Sequence, residues 1–283
     1  MRKVIVVAVD FSDCSINAFE HAFSLAQKSK SDIKMVFVNK AIQEKSVALK
    51  DPEEAIADAR SRFEEMISIY QPNLKNNVIE YNIRTGKVYR EIIKQVKEDD
   101  AFLVVAGTHG SSGFEEFWIG SNAQKLVSAS ACPTITIGGG IKIDRNLTKI
   151  VLPIDSTTET RQKVPFTSLI AKYFDAKIYI LSLYSTHVQA VRDRVDKYSE
   201  QVIEYLQENE IVYNHEVIEV DNITNDTIKY ATAIEANLIS IMTEQEKKTA
   251  NLWLGPYAQQ MINHSPIPVL SIHAKEYIRT LSR

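Results

Sequence analysis

The sequence predicts an α/β protein built from two similar domains, each with a five-stranded, mainly parallel sheet and helices on both faces. Apolar runs typical of strands alternate with segments whose apolar residues recur at helical spacing. The strand runs are nearly continuous in Val, Ile and Leu, which indicates burial on both faces of a sheet. The whole pattern occurs twice in 283 residues, and alternating strands and helices predict a parallel sheet with helices on both sides in each copy.

The first copy contains five predicted strands and four predicted helices. Phe19, Phe23 and Ala26 illustrate the helical spacing of the first helix. The strands are predicted near residues 3–9, 33–39, 77–84, 102–106 and 133–138, and the helices near 14–29, 52–70, 88–99 and 121–130. The second copy repeats the strands near residues 149–154, 177–183, 214–220, 238–242 and 268–272.

The repeat has an offset of 145 residues near its start, where Asp10 matches Asp155 after the first strand of each copy. The offset falls to 135 residues later, where Gly120 matches Gly255. A period this long is typical of a duplicated domain rather than a solenoid unit. Three glycines and a polar connector join the copies, so we expect domains at residues 1–140 and 147–283.

Composition and charge exclude several classes of protein. A net charge of -3 gives no general attraction to nucleic acid or to an anionic membrane, and no apolar stretch approaches the roughly 20 residues that span a bilayer. Cys14 and Cys132 have no metal-binding spacing and build no disulfide framework. We therefore expect a cytoplasmic protein with free thiols and without a nucleic-acid or membrane partner.

The most informative pattern is a glycine-rich loop after the fourth strand. Gly107 and Gly110 follow the apolar run 102–106, and Gly120 precedes Ser121 and Asn122 where a helix begins. Glycines at a strand end let a backbone approach a ligand closely, and a helix N-terminus favours phosphate. The spacing predicts a phosphate cradle between loop and helix, the alternative being ordinary turn glycines.

Asp10 lies at the end of the first strand, where open parallel sheets bind their ligands. Two roles are open for this carboxylate. It either faces a nucleoside or lies at the start of the first helix as the N-cap or a neighbour of the N-cap. Ser12 and Asp13 are further candidates for the N-cap.

These residues resemble the universal stress protein family. The family pattern Gly-x2-Gly-x9-Gly-Ser is present as Gly107, Gly110, Gly120 and Ser121, together with the strand-end Asp10. The resemblance covers nearly the whole chain as two tandem domains. It implies Rossmann-like (adenine nucleotide alpha hydrolase-like) domains, which bind ATP in some members of the family and not in others.

In the ATP-binding members, the glycines and the following serine, here Ser121, hold phosphates and ribose. The resemblance further implies that Asp10 lies near the nucleoside and that backbone groups at Val38 meet the adenine. Asn122 offers one more N–H to phosphate, and Mg²⁺ is expected with ATP because it commonly bridges nucleotide phosphates. No metal site of the protein itself is expected, since the histidines show no metal spacing.

The second copy departs from this pattern. Met242 and Gln245 replace the first two glycines, Pro256 has no N–H to donate, and Glu244 and Glu246 add negative charge to the loop. We expect a degenerate phosphate loop there, in a domain that is retained for packing, pairing or another ligand.

The sequence thus predicts a stress-response module that binds ATP in its N-terminal domain, with slow or no hydrolysis. No residue stands out as a base that activates water, so no catalytic residue is assigned, and His109 is interpreted as a solvated loop residue. The alternatives are a partner-recruiting module without nucleotide and an enzyme that transfers an adenylyl or phosphoryl group.

The last strand of each copy follows a proline, Pro133 or Pro268. In the family, strands of this kind pair between domains. We therefore expect the two copies to pack as a pseudo-dimer within the chain, while the pairing of whole chains into a homodimer stays open.

Overall fold

The computed structural model of the chain describes residues 2–39, 52–108, 121–138, 145–243 and 254–274. Within these ranges it contains ten β-strands, eight α-helices and two short 3₁₀ helices. Every strand and helix predicted from the sequence is found, with ends within two residues of the predicted ones. Continuous apolar runs and helical spacing were therefore sufficient to locate the elements.

The two halves have the same order of elements. The first half comprises β1 (Val4–Ala8), α1 (Asp13–Ser29), β2 (Asp32–Asn39), α2 (Pro52–Tyr70), β3 (Ile79–Thr85), α3 (Val88–Glu98), β4 (Leu103–Gly107), α4 (Ser121–Ala129) and β5 (Thr134–Ile137). The second half comprises β6 (Lys149–Ile154), α5 (Val164–Phe174), β7 (Lys177–Tyr184), α6 (Gln189–Glu208), β8 (Tyr213–Glu219), α7 (Ile223–Ala233), β9 (Leu238–Thr243), α8 (Pro256–His264) and β10 (Val269–His273).

The ten strands form one sheet in the order β3-β2-β1-β4-β5-β10-β9-β6-β7-β8. Neighbouring strands are parallel within each half, as predicted. The two halves meet at β5 and β10, which pair antiparallel with Leu270 opposite Ile135. The last strands of the two copies therefore lie side by side at the centre of the sheet.

The strand order changes direction between β1 and β4 in the first half. The chain runs from β1 outward to β2 and β3, then returns to place β4 and β5 on the other side of β1. Ligands of open α/β sheets bind in the crevice at the carboxyl ends of such strands. A ligand site is therefore expected at the carboxyl ends of β1 and β4, or at the matching ends of β6 and β9.

The apolar core is shared by the two halves. One cluster of buried side chains contains Phe19 of α1 and Ile5 of β1 together with Ile150 of β6 and Ile170 of α5. A merged core of this kind stabilises the halves against each other, because neither can separate without exposing apolar surface to water.

Polar contacts accompany this shared core. The Arg145 guanidinium forms an ion pair with Glu20, and Ser24 Oγ donates to the Arg145 carbonyl at 3.0 Å.

Among the helices that the structure describes, none combines the length and the apolar character needed to cross a bilayer.

Candidate functional site

Asp10 organises the loop between β1 and α1. Its Oδ1 accepts hydrogen bonds from the Ser12 N–H at 3.1 Å and from Ser12 Oγ at 2.6 Å. Ser12 is the N-cap of α1, and its Oγ accepts from the Ser15 N–H at 3.3 Å. Asp10 is therefore the neighbour that fixes the capping residue, rather than the cap itself.

The second half repeats this arrangement. Asp155 Oδ1 accepts from the Thr157 N–H at 2.8 Å and from Thr157 Oγ1 at 2.5 Å. The Asp155 N–H donates to Thr160 Oγ1 at 3.3 Å, as the Asp10 N–H donates to Ser15 Oγ at 3.2 Å. Because the half without the glycine pattern makes the same bonds, this use of the aspartate belongs to the loop and does not depend on a phosphate cradle.

Val38 lies near the end of β2, where its neighbour β1 has already ended. The ladder between the two strands stops at the pair Ala8 and Val36, and the Val36 carbonyl accepts from the Val9 N–H at 2.9 Å. Because backbone groups alternate in direction along a strand, the N–H and C=O of Val38 face the same side as those of Val36. They therefore point past the end of β1 toward the crevice, while the side chain itself is buried.

Gly107 is the last residue of β4, and it is closely approached by helix α1. A Cβ atom at this position would lie 2.7 Å from Cys14 Sγ and 3.2 Å from the Cys14 carbonyl carbon. Real Cβ atoms do not tolerate such a contact, so a side chain here would displace the first turn of α1. The packing of a helix against the strand end already requires this glycine, whatever ligand it also admits.

The strand end next to Gly107 is held by hydrogen bonds to β5. The Thr108 N–H donates to the Ile137 carbonyl at 2.8 Å, and Cys14 Sγ lies 3.4 Å from the same oxygen. Cys14 and Cys132 are both buried. The ends of β4 and β5 and the start of α1 are thereby fixed to one another.

The remaining predicted phosphate-binding residues are only partly described. Gly110 and Gly120 lie outside the described residues. Ser121 begins α4, although its side chain is outside the description, and Asn122 is exposed in the first turn of that helix. The N–H groups of this first turn have no partners within the helix, which leaves them available to an acceptor.

Together, the structure brings three of the predicted residues and one helix start to the same edge of the sheet. Asp10, Val38 and Gly107 lie at the carboxyl ends of β1, β2 and β4, which are neighbouring strands. Helix α4 follows β4 in the chain and begins at Ser121. The described part of this edge thus offers the backbone groups of Val38, the first-turn N–H groups of α4 and the Asp10 carboxylate.

In the second half, Met242 occupies the place of Gly107 and is buried in the core. The chain that follows Asp155 forms a separate 3₁₀ turn, Thr158–Arg161, before α5 begins at Val164. The first half has a single continuous helix over the equivalent stretch. The half with glycine at this strand end therefore begins its helix directly after the loop, whereas the half with Met242 begins with a 3₁₀ turn.

Lys163 is a buried cation that the sequence analysis missed. It is 2% exposed, and its Nζ donates to the Thr160 carbonyl at 2.6 Å and to Thr160 Oγ1 at 3.0 Å. Burial lowers the pKa of Lys163 to about 8, and the Asp155 carboxylate opposes that shift. The repeat offset contained the signal, since Lys163 aligns with the buried Ala18 of the first half.

Tyr257 lies in the first turn of α8, at the place that Asn122 has in α4. Burial and the Asp155 carboxylate both raise the pKa of the Tyr257 hydroxyl. With Pro256 at the start of α8, this helix also offers one N–H fewer than α4. The strand-end edge of the second half thus differs from that of the first in both charge and donors.

Metal ligands are not clustered in the part of the chain that the structure describes, where no group of three His, Cys, Asp or Glu side chains is arranged to hold an ion.

Comparison with known proteins gives a family match to both halves. The model of the Universal stress protein family matches residues 1–138 and 146–273. Universal stress protein YxiE from Bacillus subtilis is 26% identical over 147 residues, which are 48% of this chain and 99% of that protein. Universal stress protein MJ0531 from Methanocaldococcus jannaschii is 23% identical over 145 residues, 48% of this chain and 82% of that protein.

Solved structures similar to the whole chain also exist. A universal stress protein from Archaeoglobus fulgidus superimposes with a TM-score of 0.70 at 14% identity, covering 96% of this chain and 98% of that one. A protein of Pseudomonas aeruginosa described as functionally unknown gives a TM-score of 0.69 at 16% identity, covering 99% and 95%. At this level of identity, the likeness establishes the fold.

Proposed function

Since the chain belongs to the universal stress protein family, we propose that it is a stress-response module that binds ATP in its first domain, residues 1–140. The second domain, residues 147–283, has the degenerate loop and binds no ATP. The observation that carries the proposal is the convergence of the glycine pattern with the edge formed by the ends of β1, β2 and β4. In the second half, Met242 and Gln245 replace Gly107 and Gly110.

The residues at this edge suit a nucleotide. The backbone of Val38 faces the crevice beyond the end of β1, which supports recognition of an adenine edge by N–H and C=O groups. The first turn of α4, with Ser121 and Asn122, offers N–H groups and the positive end of a helix dipole to phosphates. Mg²⁺ would bridge the phosphates and reduce their mutual repulsion.

Hydrolysis is proposed to be slow or absent. The Asp10 Oδ1 accepts two hydrogen bonds from Ser12, so this oxygen serves the loop rather than an attacking water. A base must lie within hydrogen-bond reach of the proton that it takes, and the other described carboxylate that follows the end of β1, Asp13, is exposed in the first turn of α1.

The test is titration calorimetry with ATP and Mg²⁺ on the wild-type protein and two variants. Gly110→Val alters the predicted phosphate loop, and Gln245→Val places the same side chain at the aligned position of the second half. We expect one ATP per chain, lost in Gly110→Val and retained in Gln245→Val. Two ATP per chain would contradict the assignment to one domain, and no binding would contradict the proposed function.

The second candidate function is partner recruitment without nucleotide. It is favoured by the merged core and by the pairing of β5 with β10, which give the second half a structural role of its own. Under this alternative the glycines serve packing, as Gly107 does against Cys14. Failure to bind nucleotide, together with self-association of whole chains in light scattering, would favour it.

A cytoplasmic location is part of the proposal. The chain has only two cysteines, and their spacing builds no disulfide framework, which suits a reducing compartment. Localisation of the tagged chain in cell fractions would test it directly.

A further inference from the structure

Helix α4 belongs to the first half by sequence but packs against both halves. Leu126 lies in an apolar cluster with Val6 and Val104 of the first-half sheet. Val127, the next residue, lies in a different cluster with Met261 and other side chains of the second half. The helix that begins at the proposed phosphate site is therefore held from two sides.

One buried side chain of the second half is bonded directly to this helix. His273, the last residue of β10, is 3% exposed, and its Nε2 is hydrogen-bonded to the Val127 carbonyl. Its Nδ1 is hydrogen-bonded to Thr243 Oγ1 at the end of β9. The imidazole thus connects the strand end that precedes the degenerate loop to the second turn of α4.

The partners determine which nitrogen carries the proton. A carbonyl oxygen can only accept, so Nε2 carries a hydrogen and donates to Val127. In the neutral ring, Nδ1 is then the acceptor, and the Thr243 hydroxyl lies within reach both of this nitrogen and of the Ile272 carbonyl at 3.3 Å. Burial lowers the pKa of His273, an effect that the Val127 carbonyl opposes, so the neutral ring predominates at pH 7.

Only the second half contributes a side chain to this contact between a last strand and the helix of the other half. By the offset of 135 residues that relates Gly120 to Gly255, His273 aligns with Gly138 of the first half. Gly138 has no side chain with which to hold the carbonyl of Ile262, the residue of α8 that aligns with Val127. The second half therefore holds the helix of the first, without a reciprocal bond from this position.

A short helix moves as a unit, so a bond near one end positions the other. Val127 follows Ser121 by six residues, which corresponds to about 9 Å along the helix axis. We propose that His273 is a positioning residue through which the second half fixes α4 and thereby sets nucleotide affinity in the first half. This inference rests on the proposed function.

The test compares ATP titrations of the wild-type protein, His273→Leu, His273→Gln and the control His264→Leu. Leucine removes both hydrogen bonds, whereas glutamine keeps one N–H donor and one carbonyl acceptor. His264 is exposed at the end of α8 in the same half. We expect His273→Leu to weaken ATP binding about tenfold, His273→Gln to recover most of it, and His264→Leu to bind as the wild type does.

A second readout is amide hydrogen exchange across residues 121–129, which should accelerate in His273→Leu and return toward the wild-type rate in His273→Gln. If His273→Leu does not fold, Thr243→Val removes one of the two partners and keeps the ring, with a several-fold loss of affinity expected.

Two results would overturn the inference. Either a folded His273→Leu protein binds ATP as tightly as the wild type, or His273→Gln is as weak as His273→Leu, which would assign the effect to packing. If the wild-type protein itself binds no ATP, the proposed function fails first and the inference fails with it. The wild-type titration therefore distinguishes the two failures.

Discussion

The two halves have the same hydrogen-bonded loop after their first strand, but the buried residues of the helix that follows are apolar in the first half and polar in the second. In the first half, Ala18 and Ala22 of α1 are buried beneath the loop. The aligned residues of the second half are Lys163 and Thr167, and Thr167 Oγ1 lies 2.6 Å from the hydroxyl of Ser240 on β9. The aspartate loop is therefore compatible with an apolar or a polar interior, and it does not by itself identify a binding site.

Among the residues that distinguish the halves, substitution of Lys163 should change the free energy of unfolding most. We expect Lys163→Met to stabilise the protein by about 3 kcal/mol at pH 7, because the shift from 10.5 to about 8 measures how strongly burial disfavours the ammonium. Urea unfolding of the two proteins measures the difference. A destabilised Lys163→Met protein would show that the two bonds to Thr160 outweigh the burial of charge.

The same comparison has a defined pH dependence. Between about pH 8 and 10.5 the unfolded chain still binds the Lys163 proton while the folded chain has lost it. The stability of the wild type should therefore rise with pH in this window relative to Lys163→Met, and the advantage of the variant should disappear toward pH 10.5. A constant difference across the window would contradict the lowered pKa.

The second largest effect should come from the close contact at Gly107. We expect Gly107→Ala to destabilise the protein by about 2 kcal/mol, since its Cβ would meet Cys14 Sγ at 2.7 Å. The double variant Gly107→Ala/Cys14→Ala removes the sulfur and should recover about half of the loss. Thermal unfolding of both, with Cys14→Ala alone as control, would show whether the close contact limits this position. No recovery would mean that the Cys14 backbone is the obstacle.

The smallest effect should come from the two aspartates, where the halves are most alike. Asp10→Ala and Asp155→Ala each remove an acceptor for an N–H and a hydroxyl, which we expect to cost about 1 kcal/mol, and Asp155→Ala should cost somewhat more because it also removes the carboxylate that favours the buried Lys163 ammonium. ATP affinity should fall only in Asp10→Ala. Equal losses of stability would contradict the effect of Asp155 on Lys163, and equal affinities would remove Asp10 from the proposed site.

Sequence patterns predicted the elements well because the signals that define them are local. The Val- and Ile-rich run at β1 and the helical spacing around Phe19 are readable without tertiary information. The glycine pattern also indicated one edge of the sheet, because it follows a strand, and its binding of phosphate stays a prediction. Gly107 was predicted to let the backbone approach a ligand. The structure adds that it lets α1 pack closely, a contact that was not foreseen because Cys14 lies far from Gly107 in the sequence.

The buried polar residues were not predicted because their chemistry depends on tertiary contacts. Lys163 resembles any surface lysine until the aligned Ala18 is considered. His273 showed no metal spacing and lies near the end of the chain, so its bonds to Val127 and Thr243 were not foreseen. In both cases, aligning the two copies position by position would have marked the residue as unusual.

The central pairing of β5 with β10 leaves β3 and β8 as the outer strands of the sheet that the structure describes. Both outer strands carry charge, with exposed Glu80 on β3 and exposed Glu216 and Glu219 on β8. Charged edge strands discourage further strand addition and hence edge-to-edge aggregation. Although Val217 is 46% exposed, it is flanked by these carboxylates. The sheet is therefore self-limiting, and association of whole chains would have to use helical faces rather than extend the strands.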